Sequence, residues 1–316
     1  MPGMTDLHRV LHFDPSAATV VRSPPGFGYG NWVGGKVSFD PVSGVYALFY
    51  RERRPLEHGR AGVCGIAVSE DGVVFNDVWT TTKNDFAANS IEEGHCIRYR
   101  DAWRCFVSYE VKGTATWRID VIEAETIEAL DVQSRRTVLS PHEFGIPWIK
   151  DPFVMPVDGQ LWMYAAVPSR SGPVFDGNIV HAAPLDATVL AVSDDGIHFP
   201  SIEYVFEAPG DDTWHGRRAR INSVIEWDDG YLAMFDGGRT FYDNYEEHAG
   251  LAISKDARVF ERLTEPWVTS PYGCVRYVCA LRAKASVFFY FEYAREDGSH
   301  DLRVAELSDA GRQSTA

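Results

Sequence analysis

The sequence predicts an all-β chain, and three observations predict it. Helical periodicity is almost absent: short apolar or alternating runs follow one another, broken by turn residues. A turn signature recurs as SEDGVVF from Ser69, SDDGIHF from Ser193 and SKDARVF from Ser254, with gaps of 124 and 61 residues. The larger gap is close to twice the smaller, and IEAETIEAL near Ile122 fills the vacancy. A period near 61 divides the 316 residues about five times; four or six units would need roughly 79 or 53 residues each. The third observation is a shared pattern of an apolar run, a tight turn and a second run rich in aromatics near its end: GVYALFYR to Arg51, AWRCFVSYE to Glu110, QLWMYAA to Ala166, GYLAMFD to Asp236 and SVFFYFE to Glu292. Four antiparallel strands repeated five times make a five-bladed β-propeller.

Aligned on these second strands, the blades fall at about 31–80, 90–133, 148–207, 217–264 and 270–307 of a single domain. The early run HRVLHF, near 8–13, is expected to close the last blade and protect its edge. The Ser-x-Asp-Gly boxes are turn chemistry, with Asp bonding its own backbone and Gly taking positive φ. No linker or low-complexity tract interrupts the chain before the polar tail SDAGRQSTA.

Composition narrows the function. Hydrophobic residues are 45% of the chain, and the formal net charge is −15. That balance argues against nucleic acid, which needs clustered Lys and Arg. No apolar run is long enough to cross a bilayer, and the N-terminus lacks a basic start followed by an apolar block. Five cysteines without a CxxC pair read as reduced thiols of a cytoplasmic protein. Cys96 and Cys105 are placed to meet across a hairpin, as two small core residues. His95, His215 and His248 have no metal-ligand spacing, so neither metal nor cofactor is expected.

In each blade the start of strand one, the end of strand two and the two–three loop share one face. The turns on the other face are short, whereas the two–three loops are long, charged and aromatic, as in RERRPLEHGRAG and DGGRTFYDNYEEHAG. Long loops on one side of a rigid scaffold mark the functional face. The inner-strand starts bring Asn31 and Trp32, Glu92 or Glu93, Asp151, Arg220 and Asn222, and Arg276 to one small circle. One step outward lie Arg51, Glu110, Asp236 and Glu292. Glu92 and Glu93 alternate sides along a strand, so one of them, Glu93, is expected to point inward. Paired carboxylates with aromatic walls suit glycoside chemistry, one protonating the leaving oxygen while the other activates water or attacks C1. Trp32, Trp214 and Tyr245 are candidate stacking surfaces for a small carbohydrate, and Arg51, Arg220, Asn222 and Arg276 candidate partners of its hydroxyls.

Each residue also has a plainer reading. Asp151 could cap backbone N–H groups, Asp236 an Asx turn in FDGG, and Glu247 an exposed strand start. Arg51 and Arg276 could do no more than balance acids around the axis.

The motifs IKDPFVMPVDGQLWMYAA and EEGHCIRYRDAWRCFVSYE resemble the Asp-Pro strand and the acid strand of five-bladed propeller glycoside hydrolases (families 43, 32 and 68) and of the family 130 mannoside phosphorylases. GVYALFYR…GIAVSEDGVVF is similar to the phosphorylases' first blade. The resemblance implies a glycosidase in which Asp151 orients substrate and tunes pKa and Glu93 is the leading acid. Either Glu93 and Asp151 divide the labour, or an acid of the fourth blade, Asp236, Glu246 or Glu247, joins them as base. Two alternatives stay open: a phosphorylase in which inorganic phosphate replaces the base and is held by Arg51, Arg220 and Arg276, and a non-catalytic sugar-binding propeller. The hydrolases carry an aspartate on the first inner strand, where this chain has Asn31-Trp32.

Overall fold

The computed structural model describes residues 11–170, 185–239, 247–263 and 265–308. The regular structure is strand, joined by turns and short 3-10 turns: β1 Thr19–Arg22, β2 Trp32–Asp40, β3 Val45–Arg53, β4 Val63–Ser69, β5 Asn76–Thr82, β6 Ala88–Tyr99, β7 Ala102–Val111, β8 Trp117–Ala124, β9 Arg136–Leu139, β10 Lys150–Val157, β11 Gln160–Pro168, β12 Asp186–Ser193, β13 Ile202–Glu207, β14 Arg218–Trp227, β15 Gly230–Gly238, β16 His248–Ser254, β17 Phe260–Arg262, β18 Val275–Ala283, β19 Ser286–Ala294 and β20 His300–Ser308.

Three sheets are four-stranded meanders, β6 to β9, β10 to β13 and β14 to β17. The fourth is eight-stranded, in the order β18-β19-β20-β2-β3-β4-β5, with β1 also on β20. Its two halves meet at one parallel bridge, Trp32 to His300. The first strands β2, β6, β10, β14 and β18 pack each against the next, and β18 returns to β2. Between neighbouring sheets lie wedges of apolar side chains, such as Phe49, Ile66, Val107 and Ile122 on one side and Phe106, Val121, Met163 and Val189 on the next. Burial of these faces is the main force closing the ring.

The turn boxes behave as their residues dictate. Asp71 Oδ1 accepts from the Val73 and Val74 amides at 2.8 and 2.9 Å, and Asp195 and Asp256 repeat the bond. Gly72 takes φ 78°, and Ala257 holds the same conformation at φ 57° without the glycine. Cys96 and Cys105 sit opposite each other in the β6–β7 register as free thiols.

Two elements lie elsewhere than expected. The strand on the β20 edge is Thr19–Arg22; residues 11–13 form no strand, and 8–10 lie outside the described residues. Leu11 is buried and Phe13 packs its ring on Trp267 and Phe289, so the described end of that run serves the core. The fourth strand of the second sheet runs to Leu139, past the expected limit of 133, because 3-10 turns at Ile127–Ala129 and Val132–Ser134 lengthen the connection.

Candidate functional site

At one mouth of the ring, four of the five first strands break register at the same level. Two residues of β6, Glu92 and Glu93, stand between Ile91 and Gly94, which pair with Tyr109 and Val107. In β10 the extra pair is Asp151-Pro152, in β14 the single residue Asn222, and in β18 Tyr277-Val278. A β-bulge re-aims side chains that regular alternation would send to opposite faces. Asp151 and Tyr277 accordingly take φ of 58° and 52°, a conformation non-glycine residues seldom adopt. The expectation that only one of Glu92 and Glu93 points inward is therefore corrected: both are buried, and both face Arg51, at 3.6 and 3.2 Å. β2 has no bulge. It passes the same level with Gly34 and Gly35 in regular register against Arg51 and Tyr50.

The side chains so delivered form one electrostatic network. Arg51 also reaches Glu292 at 3.3 Å. Glu292 holds Arg276 and His300, each at 2.7 Å. Arg276 passes on to Glu247 at 2.9 Å, and Glu247 is gripped by both Arg218 and Arg220. Arg220 lies 3.8 Å from Asp151, 3.8 Å from Asp186 and 3.9 Å from Asp236. Lys150 stands 3.4 Å from Asp151. The Tyr277 ring is at the hub, with the guanidinium carbons of Arg51, Arg276 and Arg220 at 5.3, 5.2 and 5.6 Å from its centre. Lys36, fully buried, donates from Nζ to the carbonyls of Asp151 and Pro152.

Within this network, adjacent carboxyls separate. Burial pushes Glu93 up to about 7, reinforced by Asp151 and Glu292 and opposed by Arg51 and Lys36. Burial also pushes Asp236 up to about 7, with Glu247 adding to the effect and Arg220 opposing it. Burial acts on Glu92, Glu247 and Glu292 in the same sense, but their cations win. Arg53, Lys150 and Arg51 hold Glu92 well below the usual range, as Arg218, Arg220 and Arg276 hold Glu247 and as Arg276 and Arg51 hold Glu292. Lys36 is pulled down by burial, partly offset by Glu93 and Asp151.

Both oxygens of Glu93, both of Asp151 and Oδ2 of Asp236 accept no hydrogen bond from the described residues, although all are buried. Buried polar atoms are rarely left so, and a cluster of them marks a place where a hydroxyl-bearing ligand or water completes the bonding. Hydrogen bonds to backbone hold the groups in place. Ser108 Oγ donates to the Glu93 carbonyl at 2.7 Å and accepts from the Asp151 amide at 3.1 Å, tying two bulges together. The Tyr277 amide donates to Asp236 Oδ1 at 3.0 Å. Among the described residues no group of three or more His, Cys, Asp or Glu is arranged to hold a metal ion.

Of the residues singled out in the sequence, the network gathers Glu93, Asp151, Asp236, Glu247, Arg51, Arg220 and Arg276, with Asn222 buried beside Asp236. Trp32 roofs it, stacked on His300 at 4.8 Å and under the Arg276 guanidinium at 4.8 Å. Glu110 stays at the rim, 3.8 Å from Arg60. The Asn31 amide nitrogen is bonded to the carbonyls of Phe27 and Gly28 and shapes a turn. Trp214 stacks on Phe235 at 5.5 Å, in a slot open because Gly237 and Gly250 have no side chain. Tyr245 and Glu246 lie outside the described residues. Lys36, Tyr277, Asp186, Arg218 and His300 were not anticipated. A lysine inside the apolar run WVGGKVSF was the one signal for Lys36.

No protein-family model matches the chain, and no curated protein does. Solved structures of similar fold are numerous. A β-1,2-mannobiose phosphorylase from Listeria innocua, in complex with β-1,2-mannobiose, superposes with a TM-score of 0.62 at 15% identity over 90% of each chain. A glycosyl hydrolase from Bacteroides ovatus gives 0.64 at 15% identity over 95% of this chain and 94% of its own. A thermostable family-43 glycoside hydrolase gives 0.65 at 11% identity over 92% of each. At such identities the likeness is one of fold.

Proposed function

We propose that this chain is a glycoside hydrolase on a five-bladed β-propeller, acting on a small carbohydrate or glycoside at the axial site. The five-blade count takes the eight-stranded sheet as two blades, since a single bridge joins its halves and the five first strands close one ring. The observation that carries the function is the split within two carboxyl pairs. Glu92 and Glu247 are pinned low by arginines, while their neighbours Glu93 and Asp236 are raised to about 7. Groups poised near the working pH are what acid–base catalysis requires, and environments that push neighbouring carboxyls apart assign the roles.

In this reading Glu93 gives its proton to the leaving oxygen as the C1–O bond breaks. Water attacks C1 and passes a proton to the Asp236 carboxylate. Solvent then reprotonates Glu93 and relieves Asp236. Asp151, whose charge helps keep Glu93 protonated, orients the sugar through two oxygens to which no described residue donates a hydrogen bond. A water-activating base makes the reaction inverting. The fold neighbours described as glycoside hydrolases support this chemistry.

Phosphorolysis would require cations free to hold inorganic phosphate. Arg51, Arg220 and Arg276 are each already shared between at least two carboxylates, which favours water. The deciding experiment is turnover of aryl glycosides and β- and α-linked disaccharides in phosphate-free buffer, with the anomer of the product read by NMR. Turnover without phosphate and with inversion supports the assignment. Turnover only with phosphate, or sugar binding without turnover and unaffected by Asp151→Asn, sinks it.

A further inference from the structure

Beside the axial site a cleft of about 540 Å³ opens between the β2 entry and the loop after β3. Arg53, Arg54 and Arg60 line it, with the rings of Tyr29 and Trp32, which meet edge to face at 5.0 Å; Glu57 is also on its wall. In a chain of net charge −15, three arginines in one cleft are conspicuous. Unlike the arginines of the axis, their guanidinium groups donate no hydrogen bond to any described residue. Glu92, buried behind them, lies 3.7 Å from Arg53 and 3.9 Å from Arg60, and Glu110 3.8 Å from Arg60, beyond hydrogen-bond reach. Arg54 is exposed and has no ion-pair partner among the described residues. Trp32 lies beneath Arg53 in the cleft, at 5.2 Å, as well as beneath Arg276 at the axis, so the two spaces share a wall.

We propose that this cleft is a subsite for an acidic sugar, and that the substrate carries a carboxylate one residue away from the bond broken at the axis. The inference rests on the hydrolase reading for the second half of that statement only. Guanidinium forks match a planar carboxylate bidentately; Arg54 has no ion-pair partner among the described residues, and Arg53 and Arg60 stand beside Glu92 and Glu110 beyond hydrogen-bond distance, with donors to spare. The half-exposed Tyr29 ring adds an apolar wall to the cleft. The axial neighbour Glu92 keeps Arg53 and Arg60 in place without occupying their donors.

The test measures binding calorimetrically, using galacturonate, glucuronate and mannuronate oligosaccharides of two to four residues, their carboxyl-reduced counterparts and inorganic phosphate. It compares the wild type, Asp151→Asn and the Arg54→Ala/Arg60→Ala pair. At least one acidic series is expected to bind, its reduced form at least tenfold more weakly, and the paired variant to lose about tenfold per arginine, the worth of one charge-assisted bond. Binding should weaken with added salt, and Asp151→Asn, which alters the axial contact alone, should leave the ratio between acidic and carboxyl-reduced forms unchanged. No binding of any acidic series, equal binding of reduced forms, or an unchanged affinity in the paired variant overturns the subsite. Phosphate that binds as well as the acidic sugars, and is lost in the same variant, overturns it too and points to phosphorolysis. Acidic-sugar binding without turnover leaves the subsite standing and counts against hydrolysis. Turnover of neutral glycosides with no binding of any acidic series does the reverse.

Discussion

Four first strands carry a bulge at the axial level and β2 does not, and the two designs deliver different things. The bulged strands β6, β10, β14 and β18 each turn one or two side chains into a space that regular pleating would deny them. β2 keeps its register and brings an absence: a Cβ on Gly34 would lie 2.8 Å from a Glu292 oxygen and 2.9 Å from one of Glu93. It also sends Lys36 under the neighbouring bulge, where the ammonium bonds the Asp151 and Pro152 carbonyls. Bulges thus supply the chemistry, and the unbroken strand makes room for it.

The sharpest way to break this contrast is at the bulges. Asp151→Asn keeps the shape and removes the charge; hydrolysis is expected to fall by about 10³, with the thermal midpoint little changed, and an active variant would remove Asp151 from the mechanism. Glu93→Gln is next, with a loss of about 10² on poor leaving groups and much less on dinitrophenyl glycosides, which need no acid. The wild-type pH–rate profile should be a narrow bell around 7, falling on the alkaline side as Glu93 loses its proton and on the acid side as Asp236 gains one. Stability carries the same signature. Because the folded pKa of Glu93 lies above its ordinary 4.5, its proton favours the folded state, and that advantage is lost as pH rises from about 4.5 through 7. Wild type should therefore lose up to about 3 kcal/mol relative to Glu93→Gln between pH 5 and 8, read from urea melts; a constant difference would contradict the burial argument.

On the unbroken strand, Gly34→Ala should cost about 1–3 kcal/mol by overpacking and lower turnover through displaced Glu93 and Glu292. A silent Gly34→Ala would show that the room is not needed. The smallest effect belongs to Ser108→Ala, which unties two bulges: about 1 kcal/mol of stability and a severalfold drop in turnover are expected, with substrate affinity kept.

Much of the strand order was legible because turns are local. Asp and Gly at set offsets bend the chain whatever surrounds them, so the Ser-x-Asp-Gly boxes marked the spacing of the units. Asp151 was legible for a different reason, as a carboxylate entering an apolar run, where an unpaired charge is costly and needs a purpose. The pair Glu92-Glu93 was misjudged because alternation holds only while register holds, and a bulge is a tertiary choice that the pattern EEG does not announce. Tyr277 was missed on the same ground, since nothing in GCVRYVCA distinguishes a hub from an ordinary strand aromatic. Within the run HRVLHF, the apolar side chain of Phe13 fits a wedge against Trp267 as well as it fits a ladder.

The seam of the ring lies where β1, at residues 19–22, runs antiparallel to β20, at residues 300–308. A chain made from its N-terminus must leave that early segment waiting until nearly everything else has been synthesised. Assembly is thus gated by its longest-range contact, which favours slow, late consolidation over piecewise maturation. Until the latch catches, the β20 flank stays open to strands of other molecules.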